Sequence, residues 1–185
     1  MKPKLIFTAF LSLFILLSCK DKEVQNENKD VVPVEVVQKN NITLTLSAVV
    51  KKDDVFQIFY KNEEAEGFVE AKSISVDFKG SETEQKIVFS LPEDEYPNYI
   101  RLDFGVNKEQ DPIEIKNLTF KFYEKSFEVK GEDFSNYFYS NGSIEIADKT
   151  KGVLKLIVGK DGNYDPMSAS ADGLRKQLEE LVQQP

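Results

Sequence analysis

The chain has 185 residues, with 24 Lys and Arg against 32 Asp and Glu, and so a formal net charge of −8 at neutral pH. It has no His and a single cysteine, Cys19, which excludes a Ser-His-Asp or Cys-His nucleophile and a His/Cys zinc site. The basic residues are interspersed among the acidic ones rather than clustered. Phosphate backbones should therefore repel the chain, and we expect no nucleic-acid partner.

The N-terminus has the organisation of a secretory signal. Two lysines precede an apolar run, residues 5–17, which is shorter than the roughly 20 residues that a transmembrane helix needs. The run ends in Leu16-Leu17-Ser18-Cys19, which resembles the lipobox of bacterial lipoproteins. The resemblance implies cleavage before Cys19, diacylation of its thiol and membrane attachment through that lipid. We predict a lipoprotein signal peptide over residues 1–18; the alternative is an ordinary signal peptide beside a chance cysteine.

Residues 19–40 are predicted to be the lipidated N-terminus and a flexible tether, because the half nearest Cys19 is strongly polar, with Val24 as its one apolar residue after the cysteine. Pro33 lies in the valine-rich stretch 31–37, a composition compatible with an extended arm or an edge strand. The run Lys20-Asp21-Lys22-Glu23 resembles the export signal of surface lipoproteins in the Bacteroidota, although a solvated tether accounts for the same residues. We expect anchoring in the bacterial outer membrane, on either the cell surface or the periplasmic face.

From Asn41 onward, apolar and polar residues alternate with the period of half-buried strands. The segments with this pattern are 42–46, 56–60, 74–78, 87–91, 100–104, 113–115, 118–122, 144–146 and, as the last strand, 153–158. A change of parity at Lys116-Asn117 predicts a β-bulge or a bend between sheets. Because no helical segment separates these strands, we predict a mainly β fold, an antiparallel, jelly-roll-like β-sandwich over residues 41–165.

The range 166–185 is predicted to hold a short α-helix. Ser170 or Asp172 is the candidate N-cap, and the apolar residues that recur at helical spacing are Leu174, Leu178, Leu181 and Val182. A helix this short is marginal on its own. We therefore expect it to pack on the sandwich; the alternative is that it extends from the sandwich and binds a partner protein.

A calcium site is weighed at Asp161-Gly162-Asn163-Tyr164-Asp165. The alternating oxygen ligands Asp161, Asn163 and Asp165 resemble an EF-hand or dockerin-type loop. However, Pro166 stands where such loops need a glycine with positive φ, and a strand rather than a helix is predicted before Asp161. We therefore favour a plain turn without a cofactor, with calcium as the alternative.

Enzymatic chemistry has little support in the sequence. Acidic clusters such as Asp53-Asp54 and Glu93-Asp94-Glu95 lie in predicted loops. A glycosidase needs two carboxylates that face each other across a cleft, and nothing in the pattern brings two of these clusters together. We predict that the protein is not an enzyme.

Two consecutive segments, residues 101–105 (RLDFG) and 113–118 (IEIKNL), resemble the strand pair near the end of jelly-roll modules of carbohydrate-binding type in Bacteroidota envelope proteins. The resemblance implies a binding module for a glycan or glycoconjugate. Tyrosine rings stack on sugars when they share a face, and the candidates are Tyr96, Tyr99, Tyr137 and Tyr139. Alternatively, these rings fill the core or anchor an interface. The alternative function is an accessory subunit of an envelope protein complex.

Replacement of the single thiol tests the anchor. A Cys19→Ser chain has no sulfur to carry the acyl groups, so we expect nearly all of it to leave the membrane as a soluble, folded protein. Cell fractionation and immunoblotting of both chains check this. Recovery of the Cys19→Ser protein in the membrane fraction, as for the unmodified chain, would contradict the lipoprotein prediction.

Overall fold

A computed structural model describes residues 40–183. The predicted signal peptide, Cys19 and the tether up to residue 39 lie outside the described residues. In chain order the described strands and helices are β1 (Thr43–Val49), β2 (Asp54–Lys61), β3 (Ser73–Phe78), β4 (Gln85–Ser90), β5 (Tyr99–Asp103), β6 (Ile113–Phe122), β7 (Lys125–Lys130), α1 (Phe134–Tyr137), β8 (Phe138–Ser140), β9 (Ile144–Asp148), β10 (Val153–Leu156), β11 (Met167–Ser170) and α2 (Asp172–Val182).

The strands form two sheets in which every pairing is antiparallel. The six-stranded sheet has the order β4-β1-β6-β10-β9, with β7 also paired to β6, and the five-stranded sheet has the order β3-β2-β5-β11-β8. The chain passes repeatedly from one sheet to the other, as in Greek-key and jelly-roll sandwiches. The predicted antiparallel β-sandwich with a C-terminal helix is confirmed. Across residues 40–183, no helix has the length and apolar character needed to cross a membrane.

The core is the inward-facing half of the alternating strands. Leu44 and Leu46 of β1 and Ile100 and Leu102 of β5 are fully buried, as the period-2 pattern predicts. A chain of edge-to-face ring contacts runs through the interior, formed by Phe78, Phe56, Phe104 and Phe134. Each buried aromatic ring removes about 150–250 Å² from water. These rings therefore supply much of the stability of a domain whose residues 40–183 include no cysteine.

The bulge predicted at Lys116-Asn117 is present. The pairing of β6 with β1 skips Lys116, which is the extra residue of the bulged strand. As a result, Ile115 and Leu118 both face the core although they are three residues apart. The two predicted segments are thus one continuous strand within one sheet.

Two glycines pack against the backbone beside this bulge. Gly152 has a left-handed φ of +68°, and its carbonyl oxygen accepts a hydrogen bond from the Ile115 N–H at 2.9 Å. Gly131 lies against the carbonyl oxygen of Ile115, and a Cβ atom added to Gly131 would overlap that oxygen. The close approach of these three backbone segments therefore requires glycine.

Strand β11 lies beyond residue 165, where we expected the sandwich to end, and within the range assigned to the helix. Its pattern is the reverse of an ordinary strand, because the inward-facing residue is polar. Ser168 is fully buried, and its hydroxyl hydrogen-bonds that of Ser140 at 2.8 Å, while Met167 and Ala169 face outward. The sandwich therefore extends to Ser170, and the segment predicted as the last strand is followed by another.

Helix α2 packs on the sandwich, with Leu174, Leu178 and Leu181 buried in the main core. It contacts β6 and β7 of one sheet and β11 of the other. Its N-cap is Ala171, which makes no side-chain capping bond, so neither predicted cap residue has that role. Burial of the leucine stripe thus stabilises the helix without a polar cap.

The glycine contact predicts a stability difference between two alanine variants. Gly131→Ala should lower the free energy of unfolding by about 1–3 kcal/mol, because the new methyl group must displace the backbone at Ile115. Gly142→Ala is the matched control, since nothing lies within 4 Å of its Cβ position. Chemical denaturation measures both variants. Equal losses in the two would contradict the close packing of Gly131 against the backbone of Ile115.

Candidate ligand-binding face

The outer face of the five-stranded sheet brings four side chains into one row. Phe59 of β2 pairs with Arg101 of β5, Arg101 pairs with Ala169 of β11, and Ala169 pairs with Tyr139 of β8. Because the core faces of β2 and β5 are fixed by Ile58, Ile100 and Leu102, their neighbours in sequence must point away from the core. We call Phe59, Arg101, Ala169 and Tyr139 the outer row.

In the outer row the small side chain of Ala169 lies between Arg101 and Tyr139, and we call the space above Ala169 the trough. Adjacent strands lie about 4.8 Å apart, so two strand spacings place the backbones of Arg101 and Tyr139 about 10 Å from each other. The side chain between them is only the methyl group of Ala169, which leaves the space above β11 open. The Tyr139 side chain is 66% exposed, one of the most exposed large hydrophobic residues among those described. A ring-sized ligand can therefore lie above Ala169, with an aromatic surface on one side and a cation on the other.

Arg101 is held rigidly on the sheet. Its Nε and Nη2 donate to the two carboxylate oxygens of Asp103 at 2.7 and 2.6 Å, a bidentate pair on the same face of β5. The guanidinium carbon lies 4.1 Å from the ring centroid of Phe59 and 5.7 Å from that of Phe68. These contacts fix the guanidinium over Phe59, and its Nη1 makes no hydrogen bond to another residue of the range 40–183.

Burial raises the pKa of Asp103 above its usual value, and the carboxylates of Asp165 and Glu70 add to the increase. The bidentate contact with Arg101 acts in the opposite direction and lowers it. The Asp103 side chain is only 19% exposed. Most of this ion pair is therefore shielded from water, in contrast to an ordinary surface pair.

The connection between β2 and β3 borders the outer face on the β2 side. Lys61 is buried at 9% exposure, and its Nζ donates to the carbonyl oxygens of Glu64 and Glu66 at 2.7 and 2.6 Å. The same ammonium lies 5.0 Å from the ring centroid of Phe68 and 5.1 Å from that of Tyr99. Lys61 thus holds this connection against β2, and its ammonium group is occupied by these contacts within the domain.

The four tyrosines predicted to bind ligand do not form a single platform. Tyr99 and Tyr139 lie on the outer face of the five-stranded sheet, and the Tyr99 hydroxyl accepts a hydrogen bond from Nη1 of Arg175 at 3.3 Å. Tyr96 and Tyr137 instead pack against the core. The Tyr96 hydroxyl donates to Oδ1 of Asn40 at 2.7 Å. Core filling accounts for these two rings, and Tyr139 is the one best placed for a ligand.

The segment considered for calcium is a hydrogen-bonded turn. Oδ1 of Asp161 accepts from the Asn163 N–H at 3.1 Å, and the Gly159 N–H donates to the Asn163 carbonyl at 2.7 Å. The backbone carbonyl of Asp165 accepts from the Asn141 side chain at 2.6 Å. Within residues 40–183, no group of three or more His, Cys, Asp or Glu side chains is arranged to hold a metal ion.

The acidic pair Asp53-Asp54 lines a cavity of about 530 Å³ near β3. One carboxylate oxygen of Asp54 accepts from the N–H groups of Val106 and Asn107 at 2.9 and 3.3 Å. Gly105, with φ of +87°, lets the backbone approach that carboxylate closely. Asp54 therefore organises the loop after β5, and its carboxylate oxygens are occupied by hydrogen-bond donors.

Sequence reasoning missed the outer row itself. The alternation of β5 does indicate that Arg101 and Asp103 lie opposite the core. The position of Ala169, however, depends on β11, a strand of four residues in which serine faces the core and Met167 and Ala169 face outward, so its pattern does not indicate a strand with an apolar core face. The neighbourhood of Arg101 and Tyr139 could not be predicted without that strand.

The raised pKa of Asp103 predicts a pH dependence of stability. A carboxyl whose folded-state pKa exceeds its unfolded value favours the folded state when protonated, and this stabilisation is lost as the pH rises past the unfolded value toward the folded one. The stability of the unmodified chain relative to Asp103→Asn should therefore fall as the pH increases above about 3.8, the ordinary value. Denaturation at several pH values measures it. A rise over that window would contradict the dominant effect of burial.

No family model matches the chain, and no curated protein or solved structure gives a significant match. The candidate ligand-binding face therefore rests on the geometry of the outer row and its neighbours.

Proposed function

We propose that this chain is a lipid-anchored, non-enzymatic binding module of the bacterial cell envelope, with a glycan or glycoconjugate as its ligand. The lipobox-like Leu16-Leu17-Ser18-Cys19 supports attachment to the outer membrane, facing either the cell surface or the periplasm. The resemblance of residues 101–105 and 113–118 to carbohydrate-binding jelly-roll modules supports the class of ligand.

The observation that carries the proposal is the outer row. A pyranose ring has an apolar C–H face and a rim of hydroxyl groups. The exposed ring of Tyr139 provides an apolar surface for the first. Arg101 provides a fixed Nη1 donor for the second, and Ala169 leaves room between them. A mostly apolar contact with a few fixed polar groups is the usual composition of a small-ligand site.

An accessory subunit of an envelope protein complex is the second candidate function. It is favoured by a separate cavity of about 310 Å³ where the turn after β6 meets the end of α2, with Phe122, Tyr123, Leu181 and Val182 in its lining. Tyr123 has a φ of +51°, unusual for a residue with a side chain, and is 39% exposed. An exposed apolar surface of this kind suits a protein partner.

Glycan binding is tested on the mature chain carrying Cys19→Ser. We expect selective binding on a glycan array, and a decrease in affinity of about fivefold in Tyr139→Ala, because loss of one aromatic stacking surface costs about 1 kcal/mol. Titration calorimetry with the best glycan gives the dissociation constants.

Tyr123→Ala is the matched control, because it removes an exposed tyrosine on a different part of the sandwich. Its affinity for the glycan should be unchanged. Equal losses in the two variants, or an array without binding, would contradict the proposal. An empty array together with envelope proteins that co-purify in a Tyr123-dependent manner would favour the accessory-subunit function.

A further inference from the structure

The outer face of the six-stranded sheet is a regular array of hydroxyl, amide and ammonium groups. Along β1, the residues that point away from the core are Thr43, Thr45 and Ser47, and the pairing places Lys121, Thr119 and Asn117 of β6 opposite them. The strands on either side, β4 and β7, add Lys86, Ser90, Ser126, Glu128 and Lys130. We call this set, together with Val88, the hydroxyl grid.

Three lysines border the hydroxyl grid. Lys86 pairs with Ser47, Lys130 pairs with Asn117, and Lys121 pairs with Thr43. All three are exposed. None of their ammonium groups has an ion-pair or hydrogen-bond partner within the described part of the chain, in contrast to Lys61, Lys79 and Lys116. The only carboxylate in the grid is that of Glu128.

This face differs in charge from the rest of the domain. Residues 40–183 contain 18 Lys and Arg against 27 Asp and Glu, a net charge of −9. The hydroxyl grid, with three lysines and one glutamate, has a net charge of +2. A sheet face that is cationic on an otherwise acidic domain selects an anionic ligand and repels it from the remaining surface.

We propose that the hydroxyl grid is a second binding surface, specific for an acidic polysaccharide. The three ammonium groups pair with carboxylates along the polymer, and the accessible threonine, serine and asparagine side chains hydrogen-bond its hydroxyl groups. Ser47 is only 3% exposed and is not among them. The distances require a polymer. Lys86 and Lys130 are separated by three strand spacings, about 14 Å, and Lys121 lies four residues along β6 from Asn117, about 13 Å. A monosaccharide cannot span these groups.

The side chains of the grid favour a polysaccharide over other anions. The grid contains no aromatic side chain on which bases could stack, which disfavours single-stranded nucleic acid. Three lysines give about 1 kcal/mol each on an anionic membrane, while the remaining surface is strongly acidic and would be repelled. Lys130 and Glu128 of the grid also line a depression of about 450 Å³, in which three lysines and three glutamates balance, so the depression by itself does not attract an anion.

Binding to carboxylated polymers tests the proposal, with the mature Cys19→Ser chain, polygalacturonate and alginate as probes, and fully methyl-esterified pectin as the neutral probe. We expect binding to at least one acidic polymer, none to the neutral one, and a decrease of about tenfold or more in Lys86→Gln/Lys121→Gln/Lys130→Gln. Binding should also weaken when salt is raised from about 50 to 500 mM, because exposed charges are screened.

The control variant Lys149→Gln/Lys160→Gln/Lys176→Gln removes the same charge from exposed lysines outside the grid and should bind normally. Tyr139→Ala should also bind normally, so failure of the trough and failure of the grid are distinguishable. Equal losses in the two triple variants would overturn the proposal, as would binding to phosphatidylglycerol vesicles alone or to neither acidic polymer. Thermal melting of each variant confirms that it is folded.

Discussion

Burial of the inward side of β5 determines what the five-stranded sheet presents to solvent. Ile100 and Leu102 are fully buried between the sheets, and a slip of one residue would exchange them with Arg101 and Asp103. The hydrophobic effect thus fixes the register of β5 through the side chains that face the core. The position of the guanidinium on the opposite face follows from that register.

The position of Tyr139 relative to Arg101 depends on β11, the strand that lies between them. Its two neighbours, β5 and β8, are held together by a strand whose buried residue is Ser168, satisfied by the hydroxyl of Ser140. A buried hydroxyl is tolerated only when it is hydrogen-bonded. Loss of that pair would leave one buried hydroxyl without a partner and would weaken the contact that places Tyr139 across from Arg101. The trough therefore depends on a polar interaction within an otherwise apolar interior.

The two outer faces of the sandwich have different chemistry although the strands that form them are similar. One has a rigid ion pair and an exposed aromatic ring around a small residue, which suits a single sugar ring. The other has unpaired lysines spaced over about 14 Å on a surface of hydroxyl groups, which suits an extended anion. The proposals for the two faces are independent because they share no side chain. Together the two proposals describe a module that binds an acidic polysaccharide on one face and a sugar ring on the other.

The sequence alone determined the fold class, because strict alternation in segments such as Ile42–Leu46 and Ile100–Phe104 allows only half-buried strands. It also indicated a bulge or a bend at Lys116, where the parity of apolar residues changes, and the strand pairing shows that it is a bulge. The leucine stripe of α2 favoured packing on the sandwich over extension toward a partner, and the three leucines are buried in the core. The predictions at Cys19 depend on residues outside the described range and remain predictions.

Tertiary structure decided which side chains meet. Arg101 and Tyr139 are 38 positions apart, and their proximity follows from β11, whose Met-Ser-Ala-Ser sequence alternates in the inverted phase, with serine rather than an apolar residue facing the core. Likewise, Tyr96 and Tyr137 are indistinguishable from Tyr139 by residue type, and only packing against the core separates them. Local pattern specifies which face of a strand is buried. The identity of the neighbouring strand, and so the composition of a site that crosses several strands, is set by long-range pairing that no local pattern encodes.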